Sequence, residues 1–302
     1  IKYISDAKGN KLELTESYEA PQDGVNMTLT INYELQAVLE RELDNAVSKY
    51  NPDQALGIAM NPNTGEILAI ASRPDFSPNE YQNYTVEEIN RNLPVWMTYE
   101  PGSTFKIITL SAALEEKLID LDKDTFFDSG SVHVENARIK CWKHGGHGAQ
   151  TYLQVVENSC NPGFVSIGQK LGKENLFKYI NAFGFGEKTG VDLNGEASGI
   201  LFKLENVGPV ELATTSFGQG VSVTPIQQIT AVSAAINGGT LYKPYIVKSL
   251  NEPETNTVVK SFDSEIKRKV ISEDTSEKVR YALESVVTNG TGRNAVIDGD
   301  RV

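Results

Sequence analysis

The segment Glu100-Pro101-Gly102-Ser103-Thr104-Phe105-Lys106 sets a hydroxyl and an amine three residues apart, at the start of an apolar run that reaches Leu114. On a helix such a pair shares one face. A serine in the first helical turn also lies near unpaired backbone N–H groups and the positive end of the helix dipole. Burial of Lys106 beside Phe105 and Ile107 would lower its pKa, so that a neutral amine takes the Ser103 proton. The plain alternative is an N-cap serine followed by a solvated lysine. Further along, Ser159 and Asn161 flank Cys160, just past a short helical stretch at 152–157. Ser-x-x-Lys followed by Ser-x-Asn suits acyl transfer through a serine ester.

A second constellation lies in the same region. Cys141-Trp142-Lys143-His144-Gly145-Gly146-His147 carries three soft donors in a glycine-rich loop, and Cys160 follows at the next helix end. Two thiolates and two imidazoles from Cys141, His144, His147 and Cys160 would complete a closed tetrahedral zinc site. It would staple the loop to the 159–161 segment. Two other readings stay open: a Cys141–Cys160 disulfide, or buried thiols with His147 bonded to a backbone carbonyl. His133, in Val132-His133-Val134, reads as a structural residue on a strand.

These residues need elements to hold them. Apolar residues alternate from Val25 to Ile31, which predicts a half-buried strand. Asn32 can cap a helix whose Leu35, Val38, Leu39, Leu43, Ala46 and Val47 recur at helical spacing. Leu56–Met60 and Glu66–Ala71 flank Asn61-Pro62-Asn63-Thr64-Gly65 and predict a hairpin. The run from 103 to 114 predicts one buried helix, and Ile226–Ile236 another, ended by Asn237-Gly238-Gly239. Residues 1–24 read as a polar, hairpin-like lead-in with a turn at 6–10 and a break at 21–24. Strands at both ends with helices between argue for an α+β fold.

Composition narrows the classes. The 302 residues carry 28 Lys and Arg against 40 Asp and Glu, a net charge of −12, so phosphate backbones are poor partners and no nucleic acid is expected. Hydrophobic residues at 39% and charged residues at 23% describe a folded chain, not a disordered one. No stretch reaches the roughly 20 apolar residues of a membrane span. The chain begins at Ile1 without Met and is expected to be part of a longer protein whose anchor lies elsewhere.

Several segments together resemble class B penicillin-binding proteins: 26–31, 61–69, Tyr99–Lys106, Phe217-Gly218-Gln219-Gly220, Val223-Thr224-Pro225 and Gly238-Gly239. The likeness is greatest to sporulation-type members and their division-type relatives. It implies the transpeptidase and serine β-lactamase-like fold: an antiparallel sheet flanked by helices, plus a mainly helical lobe, over residues 25–302. Residues 1–24 would then be the remnant of an N-terminal pedestal region. The implied activity is a peptidoglycan D,D-transpeptidase in which Ser103 attacks a D-Ala-D-Ala stem peptide. Lys106 would be its base, Ser159 a proton relay and Asn161 a substrate ligand. The resemblance also implies β-lactam binding, a glycosyltransferase or morphogenesis partner at the membrane, and an extracytoplasmic location. A β-lactamase, a D,D-carboxypeptidase and a non-catalytic wall-sensing scaffold are the alternatives.

The family's third motif is Lys-Thr-Gly or Lys-Ser-Gly. Lys188-Thr189-Gly190 stands too early in the order and reads as a surface turn between a helix and a strand. The segment from Asn289 to Ala295 resembles the loop that precedes the true motif, which is expected just after Val302. Trp96 and Tyr99 suit either a peptide cleft or packing under the helix. Gly218 and Gly220 suit close backbone approach, Gln219 a substrate contact, and Glu100 and Arg293 local ion pairs.

Overall fold

Side-chain capping starts the first long helix of the chain: Asn32 Oδ1 accepts from the N–H of Leu35 at 3.0 Å. The structure is a computed structural model that describes residues 7–8 and 23–300. Most of the expected lead-in therefore lies outside the described residues. In chain order come β1 (Asn26–Leu29), α1 (Tyr33–Tyr50), β2 (Ala55–Met60), β3 (Ile67–Arg73), α2 (Val86–Asn90) and α3 (Leu93–Trp96). A 3-10 turn at Gly102–Phe105 runs into α4 (Lys106–Glu115). Then follow β4 (Thr125–Asp128), β5 (Ser131–Val134), β6 (Ala137–Lys140), β7 (Gly148–Thr151), α5 (Tyr152–Glu157) and α6 (Asn161–Ala182). The remainder is α7 (Pro209–Thr215), α8 (Pro225–Ile236), β8 (Thr240–Tyr242), β9 (Val247–Asn251), β10 (Val258–Ser261), β11 (Ile266–Lys269) and α9 (Glu273–Thr288).

The chain divides into two compact units: residues 1–29 with 247–263, and residues 30–246 with 264–302. The smaller contains the three-stranded antiparallel sheet β1-β9-β10, with Asn26 opposite Asn251 and Thr28 opposite Ser249. The strand expected from the 25–31 alternation forms, but its apolar side chains are not half-buried. Val25, Met27 and Leu29 are all exposed, Met27 at 58%, as is every residue of β1.

In the larger unit the expected hairpin is present as β2–β3, paired antiparallel from Ala55–Arg73 to Met60–Ile67. Gln36 of α1 both donates to the carbonyl of Ile70 and accepts from its N–H, so a side chain completes the free edge of β3. β8 pairs with β11, β4 with β7, and β5 with β6. The antiparallel strands of this unit thus fall into short pairs.

Helix α4 is apolar on every side, and such a helix has to be surrounded. It packs against α6, α8 and α9, and Ile108, Leu110, Ala112 and Ala113 are almost wholly inaccessible. Phe105 meets Phe185 with ring centroids 5.1 Å apart, beneath the turn that carries Ser103. Ile67, Val95, Val191, Ile226 and Ile246 form a second apolar cluster. Two expectations change. The helix predicted over 103–114 begins only at Lys106, because Gly102–Phe105 winds more tightly as a 3-10 turn. The strand expected after Lys188-Thr189-Gly190 does not form: residues 191–193 are irregular, with Val191 N–H bonded to Thr189 Oγ1 and Asp192 Oδ1 accepting from Ile246 N–H.

Candidate active site

Ser103 is exposed on its 3-10 turn, whereas Lys106, one turn on, is only 5% exposed. The buried amine has three partners. Lys106 Nζ donates to Ser159 O at 2.8 Å, Ser159 Oγ at 2.9 Å and Asn161 Oδ1 at 2.7 Å. Ser159 Oγ in turn donates to Ser103 Oγ at 3.1 Å. Lys106 and Ser103 are therefore joined through the second serine, not held directly together as helical spacing predicted. Loss of one proton from Lys106 would reverse both bonds and make Ser103 the donor. Burial pushes the Lys106 pKa down to about 8, while the nearby Cys160 and Cys141 sulfurs pull the other way. Its Nζ lies 5.2 Å from the centre of the Phe164 ring, which helps exclude water.

The backbone explains how Ser159 reaches this position. Helix α5 ends with Ser159 N–H bonded to Val156 O and Cys160 N–H bonded to Val155 O. That pair of bonds is a Schellman ending, in which the residue after the cap adopts the left-handed conformation and is usually glycine. Here it is Ser159, with φ of 48°. A side chain in that region costs roughly 1–2 kcal/mol. Glycine would remove the cost and the hydroxyl with it. Asn161 begins α6 two residues later, so one tight reversal presents both side chains to Lys106. The 289–292 loop supports this corner: Thr291 N–H donates to Glu157 O at 3.0 Å, and Ser285 Oγ donates to the Glu157 carboxylate.

The turn that carries Ser103 is fixed from the opposite side. Gly102 N–H donates to Gly218 O at 3.0 Å, Thr109 Oγ1 to Ser216 O at 2.9 Å, and Gln228 Nε2 to Thr104 O at 3.2 Å. Gly218 has φ of +81°, and a Cβ there would sit 2.2 Å from Gly102 O. Gly218→Ala is therefore expected to strain the backbone by about 1–3 kcal/mol and force the Ser216–Gly220 loop off the turn. A lower melting temperature and at least tenfold slower labelling by a fluorescent penicillin would register this. Unchanged labelling would show that the loop does not position Ser103.

Glu100 and Arg293 make different contacts from the ion pairs their charges suggested. Glu100 Oε1 accepts from Gly220 N–H at 2.8 Å, and Arg293 donates to Asn289 O at 3.0 Å. Tyr99 pairs through its backbone with Val223 and packs on the core, while Trp96 is exposed beside Arg91. Lys188-Thr189-Gly190 is no part of the site. Thr189 is buried, not superficial, and its N–H and hydroxyl both hold Glu196 Oε1, at 2.6 and 2.5 Å.

The cysteines also lie beside this corner. Cys141, His147 and Cys160 come together as expected, but His144 does not join them; it is exposed at the loop tip. Asp128, the last residue of β4, takes the fourth place, and the four donor atoms lie within 4.8 Å of one another. His147 Nδ1 is 2.9 Å from Asp128 Oδ2 and 3.3 Å from Cys141 Sγ, while Cys160 Sγ is 3.4 Å from the same carboxylate oxygen. Both cysteines are free thiols. Burial pushes the Cys160 thiol up to about 12. Burial alone would raise Asp128 as well, yet hydrogen bonds from Cys141, His147 and two backbone N–H groups hold it well below the usual carboxylate range. His133 lies on β5 and is exposed.

A lysine, two serines and an asparagine in this arrangement can activate a hydroxyl and return its proton to a leaving group. The sequence profile "Penicillin binding protein transpeptidase domain" matches residues 55–302. The chain belongs to the penicillin-binding protein transpeptidase family. It is 61% identical over its whole length to Stage V sporulation protein D of Bacillus subtilis strain 168, covering 47% of that protein. To the peptidoglycan D,D-transpeptidase FtsI of Escherichia coli K12 it is 29% identical, over 98% of this chain and 48% of the relative. Among solved structures, penicillin binding protein 3 of Mycobacterium tuberculosis complexed with aztreonam matches with a TM-score of 0.85 and 25% identity, over 97% of this chain and 69% of that one. Penicillin Binding Protein 2X of Streptococcus thermophilus matches with a TM-score of 0.82 and 28% identity, over 94% and 42%. The chain thus spans about half the length of the curated relatives it matches, and its α+β fold is that of the penicillin-binding transpeptidase domains.

Proposed function

We propose that this chain is the catalytic domain of a peptidoglycan D,D-transpeptidase that forms its acyl-enzyme on Ser103. The observation that carries the reading is the unbroken path from Ser103 Oγ through Ser159 Oγ to a buried Lys106, closed by Asn161. With Lys106 neutral, the Ser103 proton passes to Ser159 and the Ser159 proton to Lys106. Ser103 Oγ bonds to the carbonyl carbon of the penultimate D-Ala of a stem peptide. The peptide C–N bond breaks, and the departing D-Ala nitrogen takes the proton back through Ser159. An amine of a second stem peptide then attacks the ester, loses a proton to the same relay and restores Ser103. The first N–H groups of the Gly102–Phe105 turn have no partner within the turn, and that of Ser103 would supply one donor to the developing oxyanion. Asn161 retains its side-chain amide N–H groups for the substrate backbone, because its oxygen is taken by Lys106.

A β-lactam would enter the same path, with the ring amide in place of the D-Ala bond. By likeness to the sporulation and division enzymes, we place the domain outside the cytoplasmic membrane, on a protein anchored there and working with a glycosyltransferase or morphogenesis partner. Residues 1–24 belong in this reading to a preceding pedestal region.

The test is peptide mapping of the full-length protein after exposure to a penicillin, together with product analysis on stem-peptide substrates. The expected results are a stable adduct on Ser103 and cross-linked dimer with release of D-Ala. An adduct on another residue would defeat the assignment of the nucleophile. Rapid turnover of penicillin, or D-Ala release without dimer, would replace it with a β-lactamase or a carboxypeptidase. A protein that binds wall peptides and forms no adduct would be a scaffold.

A further inference from the structure

The segment from Gly220 to Val223 runs between two neighbours. Tyr99 and Val223 exchange both backbone bonds, at 3.0 and 2.9 Å, and Ile200 and Ser222 do the same on the other side, at 2.7 and 2.9 Å. Beyond Tyr99 this ladder meets Pro101, which has no N–H to donate. Pairing resumes where Gly102 N–H donates to Gly218 O at 3.0 Å. Between these rungs a side chain takes over, and Glu100 Oε1 accepts from Gly220 N–H at 2.8 Å. We propose that Glu100 is a positioning residue: its carboxylate stands in for a backbone acceptor and latches the turn that carries Ser103 to the 217–220 loop, holding the hydroxyl in place for acylation. This role rests on the reading of Ser103 as the acylated residue.

A short, stiff path joins the latch to the hydroxyl. Between Glu100 and Ser103 stand Pro101, with φ of −70° fixed by its ring, and Gly102, left-handed at φ of +55° and tied to Gly218. The loop on the other side is equally constrained. Gly218 N–H donates to Thr215 O and Gln219 N–H to Thr214 O, both at 3.0 Å, which fastens the loop to the end of α7. Gly220 has φ of +78°, and a Cβ there would sit 2.9 Å from a ring carbon of Phe202. With so little slack on either side, the Glu100 bond sets their spacing. A carboxylate acceptor makes that bond shorter and stronger than a neutral one. Glu100 has no ion pair among the described residues, so its orientation follows from Gly220 and not from a neighbouring cation. A displacement of about 1 Å at a reacting group is enough to slow a reaction on the order of 10²-fold.

Three variants of the full-length protein separate reach from charge. Each is mixed with excess penicillin and followed by intact mass, and saturation curves give a limiting acylation rate and a half-saturating concentration. Glu100→Ala removes the acceptor and is expected to lower the limiting rate at least tenfold, with the half-saturating concentration within about threefold of the parent. Glu100→Gln offers an amide oxygen at the same reach and should recover most of the parent rate. Glu100→Asp keeps the charge on an arm one methylene shorter and should stay slow. Hydrogen exchange in the 217–223 peptide should quicken in the Ala and Asp variants but not in Gln. Thermal melts show whether each variant is folded; should Glu100→Ala fail to fold, the Gln and Asp pair decides. Acylation of Glu100→Ala at the parent rate overturns the inference. So does a slow Gln variant beside a fast Asp variant, which would assign the effect to charge, or a loss confined to the half-saturating concentration, which would make Glu100 a substrate contact. Exchange that does not respond to Glu100→Ala removes the latch. A parent protein without an adduct on Ser103 instead defeats the transpeptidase reading itself.

Discussion

Ser103→Ala should form no covalent adduct with any β-lactam while keeping the stability of the parent protein within about 0.5 kcal/mol. The two halves of that expectation have separate causes. In the proposed acylation the hydroxyl is the atom that bonds to the acyl carbon, so its removal leaves no ester to form. It is also exposed, and its side-chain partner is Ser159 Oγ, a group that keeps its bond to Lys106 in the variant. Nothing buried loses a partner. Intact-mass measurement after incubation with a penicillin, paired with thermal melts, separates the two outcomes. A surviving adduct would place the chemistry on another residue. A large loss of stability would mean that Ser103 has a structural role its exposure does not suggest.

Lys106→Met should slow acylation on the order of 10²–10⁴-fold, the range usual for loss of general acid–base catalysis. Methionine approximates the apolar stem of lysine and removes only the amine, so the packing beside Phe164 persists. The pH dependence supplies an independent check. In the proposed relay the reactive form is the neutral amine, and burial pushes its pKa down to about 8. In the parent protein, acylation should therefore fall about tenfold for each pH unit below that value and level off above it; the methionine variant should lack this limb. Stability carries the same signature. The folded pKa lies below the ordinary lysine value of 10.5, so between pH 8 and 10.5 the unfolded chain binds more protons than the folded one. Stability from this residue then rises with pH across that window, is at its poorest below pH 8, and is fully recovered above 10.5. Denaturant titrations at several pH values should show that slope in the parent and its absence in Lys106→Met. A parent protein whose acylation is flat between pH 6 and 9 would remove Lys106 from the role of base.

Residues close together in sequence were legible before any fold was known. Ser103 and Lys106 declared themselves because three-residue spacing keeps them within one turn, although the direct contact that spacing suggested runs instead through Ser159. The N-cap at Asn32, the hairpin around 61–65 and the buried helices α4 and α8 followed from local chemistry and apolar spacing. Local pattern failed where distant chain decides the outcome. Cys-x2-His-x2-His suggested His144 as a ligand, yet that side chain sits exposed at the loop tip. Asp128 carries no spacing signal toward Cys141, because a whole hairpin intervenes; only the pairing of β4 with β7 brings it beside His147. The alternation at 25–31 correctly indicated a strand, but burial needs a second layer, and a one-dimensional pattern does not say which segment supplies it.

By itself the sequence determined the chemical groups and their family: a serine, a lysine one turn later, a Ser-x-Asn and soft donors nearby, in an acidic chain of α+β character. The tertiary structure decided the wiring. It routed Lys106 to Ser103 through Ser159, placed that serine in a left-handed corner that glycine would fill at lower cost, and exchanged His144 for Asp128. The physical reason is one of range. Residue type and short spacing set what a group can do, whereas hydrogen bonds across 53 and 56 positions of chain exist only after helices α4, α5 and α6 have packed around a common core.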